Sequence, residues 1–129
     1  MKFNRLIPEL TVTNLDKSID FYTNMLGFKV EYNRTENKFA FISFKGAQLM
    51  LEGGKKPAKS EHMNFQIETD DVDALYMSLK KQKYPIHTEM REAWYRVEET
   101  LHGNKEFIVA DPDGYLLRFF KDLGTKHSH

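Results

Sequence analysis

Apolar and polar positions along the chain change their period twice, in the same order each time. Between Arg5 and Thr13 branched and leucine side chains fall at near-alternate positions, the period of a strand with one buried face. Asn14 then offers a side-chain oxygen to cap a helix. Leu15, Ile19, Tyr22 and Leu26 recur at three- and four-residue steps, Asp16 sits in the first turn where the helix dipole favours a carboxylate, and Gly27 supplies the stop. The pattern predicts a helix over Leu15 to Leu26. Phe28 to Asn33, Lys38 to Phe44 and Gln48 to Glu52 read as three strands separated by turn residues. Residues 1–52 therefore form a β-α-β-β-β module.

The stretch GGKKPAKS, residues 53–60, has no apolar period and reads as a linker. The same order then returns in a second module, residues 61–121. Met63 to Thr69 is a strand, and Asp70 or Asp71 caps a helix through Lys83 whose buried stripe is Val72, Leu75, Tyr76 and Leu79. Ile86 to Met90 begins a strand. Lys105 to Ala110 and Tyr115 to Phe120 pair around a DPDG turn, leaving residues 122–129 as a tail. Leu10 to Phe21 lies over Ile67 to Ser78, and the copies differ by an insertion between Glu92 and Gly103. One helix on one sheet buries too little to stand alone, so the expected fold class is α+β, a single domain over 1–129. Its two tandem modules pair into a curved mixed sheet around a cleft.

Composition narrows the chemistry. The chain has 129 residues, 40% hydrophobic and 29% charged, the profile of a folded globular protein. Its formal net charge is zero, so no bulk field draws it to nucleic acid or to an anionic membrane. The absence of cysteine excludes disulfides, thiolate nucleophiles and sulfur-ligated metal. The opening MKFNRLIPEL lacks a signal-peptide core and no apolar run approaches membrane-spanning length, so a cytoplasmic location is expected. Ser18, Ser43 and Ser78 have no strained elbow or His and Asp partner set, and Lys55, Lys56 and Lys59 have no aromatic residues interleaved for stacking on nucleic acid.

Three stretches, ELTVTNLDKSIDFYTNMLGFKV, GAQLMLE and FIVADPDGYLLRFF, together resemble the vicinal oxygen chelate superfamily of glyoxalases, extradiol dioxygenases and bleomycin-resistance proteins. In the enzymes of that superfamily a divalent metal is held by four inward side chains on the first and last strands of each module. The resemblance places these positions at Ile7, Met50, Asn64 and Arg118. Ile has no donor atom, a thioether suits soft copper, and Arg has no lone pair to give, so no metal and no cofactor are expected. A register shifted by two would instead offer Glu9, Glu52, His62 and Gln66. The plainer reading makes Glu9 and Glu52 partners of Arg118 or of another buried cation, and leaves His62, His87, His102, His127 and His129 on the surface.

The metal-free members that the chain resembles are the bleomycin-resistance proteins, which sequester a flat cationic ligand in clefts at a dimer interface. The resemblance implies a small-molecule ligand and a homodimer, with no catalytic residues. Binding of that kind needs aromatic faces and carboxylates. Phe39, Phe41, Trp94 and Tyr95 supply the first; Glu52, with Glu98 and Glu99, supplies the second. Met50 and Arg118 complete the candidate ligand-binding set. Phe39 and Phe41 read equally as core. Trp94 lies in the inserted segment, outside both repeats, without an evident core slot. Two alternatives stay open: a metal-dependent lyase or dioxygenase, and a binding module for a native metabolite.

Overall fold

The computed structural model describes residues 2–127; His129, expected on the surface, lies outside them. Two compact units are present. The first comprises residues 2–62 and 111–115, the second residues 63–110 and 116–127.

In the first unit β1 (Glu9–Val12) leads into α1 (Leu15–Asp20), followed by β2 (Lys29–Arg34), β3 (Phe39–Phe44) and β4 (Ala47–Gly53). The sheet order is β1-β4-β3-β2, with β1 and β4 parallel and the other neighbours antiparallel. As the sequence predicts, the Asn14 side chain accepts the Lys17 amide at 3.0 Å, and Gly27 takes a φ of 89° that a β-carbon would oppose. The helix departs from the prediction in its second half, which widens into a π-helical turn over Phe21–Met25. That turn carries the fully buried Tyr22. Tyr22 packs on Phe28 and Phe28 on Phe44, at centroid distances of 5.2 and 5.1 Å, so this side of the sheet is the helix side.

The second unit repeats the connectivity. β5 (Asn64–Glu68) precedes α2 (Val72–Lys81), then β6 (Thr88–Val97), β7 (Thr100–Ala110) and β8 (Leu116–His127). The order β5-β8-β7-β6, with one parallel pair, has the same pattern as the first sheet. The α+β class and the two-module repeat are therefore present. Val72 and Leu79 of α2 are buried, and Tyr76 meets Phe107, which stacks in turn on Phe119. Among the described residues no helix is long and apolar enough to cross a membrane.

Two expectations about local structure are corrected. The segment after Glu92 is not a loop outside the repeat: β6 and β7 pair rung by rung from Arg91 opposite Glu106 to Val97 opposite Thr100. Residues 122–127 are not a loose tail, because β8 continues along β7 to the rung of Thr100 with His127. Strand β7 runs the whole way from Thr100 to Ala110, which gives both β6 and β8 a long edge to pair with.

The turn 111–115 belongs to the first unit, and its side chains explain why. Asp111 is 4% exposed and accepts the Tyr22 hydroxyl at 2.7 Å together with the amides of Asp113 and Tyr115. Asp113 accepts the Thr13 hydroxyl at 2.6 Å, its carbonyl accepts the Ser60 hydroxyl, and the Tyr115 hydroxyl donates to the Thr11 carbonyl. Burial raises the Asp111 carboxyl above its ordinary 3.8, against the opposing pull of these donors. The folded state therefore binds the proton more tightly than the unfolded chain. Its contribution to stability is complete below pH 3.8 and is lost as pH rises through the folded-state value. In denaturant titrations Asp111→Asn, which keeps an acceptor in place, should gain on the native protein as pH rises through that window; parallel curves would refute it.

Candidate functional site

Each sheet has a face that its own helix leaves free, and Phe39, Phe41, Met50, Glu52, Tyr95 and Arg118 lie there. In the first unit side chains alternate, so Ala40, Ile42 and Phe44 point to the helix, and Phe39, Phe41 and Ser43 point away. Register adds Glu52 opposite Phe39 and Met50 opposite Phe41 on β4, with Arg34 and Tyr32 opposite the same two residues on β2. Tyr32 stacks on Phe41 with centroids 5.3 Å apart and rings inclined by 21°, and Phe3 meets Phe41 edge-on at 5.2 Å. The Arg34 guanidinium lies 4.1 Å from the Phe39 ring centre. Phe39 and Phe41 are buried, Met50 and Tyr32 half-buried, Glu52 exposed. The two phenylalanines thus form the floor of an aromatic patch whose reachable surface is Tyr32, Phe3 and Met50. Phe3 is placed by its neighbours: Asn4 donates from its amide to the Gln48 side chain at 2.7 Å, and Gln48 donates to the Lys2 carbonyl.

In the second unit the helix-free face carries Arg118 and Ile108 on one rung, with Glu106 and Phe120 on the next. Within this unit the carboxylate beside Arg118 is that of Glu106, at 3.8 Å. Arg91 on β6 donates to Glu106 Oε2 from Nε and Nη2, at 3.3 and 3.0 Å, and the Tyr95 hydroxyl donates to the same oxygen at 2.8 Å. Burial first, and the Glu106 carboxylate second, push the Tyr95 phenol up. Trp94 points to the other face of β6. Its ring covers Gly103, where a β-carbon would come within 2.6 Å, and the Lys126 ammonium lies 4.0 Å from the ring centre. Glu98 and Glu99 form the exposed tip between β6 and β7.

Sequence reasoning missed Tyr32, Arg34, Arg91 and Glu106. A signal existed for the last: an acid inside the apolar run KEFIVA, at a strand position that should be buried.

Residues 2–119 match the model of the Glyoxalase/Bleomycin resistance protein/Dioxygenase superfamily. The chain belongs to this superfamily. The Bleomycin resistance protein of Geobacillus stearothermophilus is 26% identical over 136 residues, covering 91% of this chain and 96% of the relative. Among solved structures, TioX from Micromonospora sp. ML1 superposes with a TM-score of 0.74 at 18% identity, over 94% of this chain and all of the other, 100%. Lactoylglutathione lyase from Agrobacterium tumefaciens gives 0.63 at 15% identity, over 94% and 96%. At these identities the two structures speak for the fold alone.

The superfamily's enzymes imply a metal, and the residues here do not fit one. Met50 and Arg118 do lie on helix-free faces, yet Ile7, Met50, Asn64 and Arg118 offer a divalent ion only one amide oxygen. The shifted set fares no better. His62 sits in a short 3-10 turn beside Glu61, and Gln66 on β5 stands opposite Arg118 of β8. Among the described residues no group of three or more His, Asp and Glu side chains is placed to hold an ion.

Gly103 tests how Trp94 is held. Gly103→Ala should drive the ring off its seat, costing about 1 to 3 kcal/mol of stability and shifting Trp94 fluorescence to the red. Unchanged emission and stability would show that the ring does not rest there. Phe41→Ala should cost about 3 to 5 kcal/mol, as a fully buried ring does; a loss in denaturant titration under 1 kcal/mol would remove Phe41 from the floor.

Proposed function

We propose that the chain is a metal-independent small-molecule binding protein of the bleomycin-resistance type, holding a planar aromatic ligand without chemical turnover. The observation that carries this reading is the aromatic patch on the helix-free face of the first unit. Tyr32 and Phe3 overlie Phe41, Met50 is adjacent, and the exposed carboxylate of Glu52 stands ready for a cationic substituent. Rings stacked in this way recognise a flat ligand by dispersion and quadrupole alone, which requires no ion. A thioether conforms to irregular ligand edges better than a branched side chain does. Likeness over nearly the full length to a Bleomycin resistance protein supports the same class. Trp94 and Tyr95 offer further ring surface in the second unit, although Lys126 must leave the Trp94 ring before a ligand stacks on its outer side.

In this reading the protein works as a two-fold homodimer with equivalent ligand sites where the two copies meet. A symmetric pair covers apolar surface that one chain leaves exposed, such as Met63 and Val97. Sedimentation at micromolar concentration should give twice the 15.2 kDa chain mass; a monomer throughout would contradict the assembly.

Bleomycin with chelator present is the first ligand to test. At 100 times its dissociation constant a specific ligand adds about 2.7 kcal/mol of apparent stability, read as a thermal shift. Tyr32→Ala should weaken binding by about 1 to 3 kcal/mol with the fold retained. Stoichiometric binding of zinc, nickel or manganese together with glyoxalase turnover would replace this reading by an enzymatic one.

A further inference from the structure

On the helix-free face of the second unit Arg118 is in an unusual state. Its side chain is only 19% exposed, and among the described residues it donates no hydrogen bond. The Nε atom is buried with no partner, and so is Oε1 of Glu106, a residue only 1% exposed. All the donors that reach Glu106 converge on Oε2: Arg91 through two nitrogens and Tyr95 through its hydroxyl. The contact from Arg118 to that oxygen, at 3.8 Å, is an ion pair without a hydrogen bond.

Charge and donor count indicate what is missing. Two guanidiniums share one carboxylate, so the cluster carries one net positive charge. Glu68, the next acid on this face, stands a strand away on β5 opposite Phe120 and is exposed. A guanidinium has five N–H donors in a planar fork matched to two oxygens. Burying one without hydrogen bonds is costly unless a partner arrives. A second cation is excluded, because the free oxygen of Glu106 lies buried between two positive groups.

We infer that Arg118 and Arg91 form a receptor for the oxyanion of a ligand, a carboxylate or a phosphate, with Glu106 and Tyr95 holding Arg91 in place. This goes beyond the binding reading above and assigns the second unit's helix-free face an oxyanion of its own.

The test uses the full chain labelled with ¹⁵N, following the arginine Nε–H resonances during titration with sodium phosphate and with sodium benzoate, against sodium chloride at equal ionic strength. The Arg118 resonance should shift saturably with both oxyanions and not with chloride. Arg118→Gln leaves Glu106 its bonds to Arg91 and Tyr95, and should weaken calorimetric binding of both by about tenfold or more. Shifts no larger than in chloride overturn the inference, as does equal affinity in a folded Arg118→Gln. Should that variant fail to fold, the native Arg118 resonance decides alone. Absent oxyanion binding with planar-ligand binding intact refutes this inference only, whereas oxyanion binding with no response to planar ligands at Tyr32 refutes the preceding reading and leaves the receptor standing.

Discussion

A single helix can cover one face of a four-stranded sheet, and this chain provides one helix for each sheet. Everything functional follows from that shortage. On the helix side the residues are what burial requires: Leu10, Val12, Leu49 and Leu51 in the first unit, Phe107, Val109, Leu117 and Phe119 in the second. On the other side neither sheet has the fully solvated polar surface of an open face. The first carries stacked rings, and the second carries an acid that is 1% exposed among two arginines. Such faces are costly in an unliganded protein, and their retention is the physical argument for binding.

The two faces differ in the chemistry they can perform. The rings of Tyr32 and Phe3, backed by Phe41, attract flat, polarisable surfaces and cations, whereas the guanidiniums of Arg91 and Arg118 attract oxygen anions. Neither contains an activated nucleophile, and the positions that hold a metal in related enzymes are filled by side chains that cannot. Arg118 makes the point most directly: at a position that the resemblance matches to a metal ligand, the side chain is itself a cation.

Much of the fold was legible because it rests on local rules. Asn14 before a helical stripe, Gly27 after it, and the DPDG turn each have one dominant structural meaning, and the structure realises all three. What was not legible depends on pairing across strands. The π-helical turn at Phe21–Met25 gives no period of its own. Trp94 looked like a loop residue because its seat, Gly103, is distant in sequence until β6 and β7 are aligned. Glu106, the carboxylate beside Arg118, was not singled out, because it lies on the adjacent strand β7 and is distant in sequence until β7 and β8 are aligned. Spacing along a strand tells which face a residue takes, and only the register tells what stands beside it.

The central claim is that the helix-free face of the first sheet receives a planar ligand without metal, and Met50 reports on it most directly. Labelling the methionine methyl groups and titrating with bleomycin in excess chelator should shift the Met50 resonance. Met77, exposed on α2, should stay in place. A Met50 signal that never moves, or one that moves only after a divalent ion is added, would contradict the account.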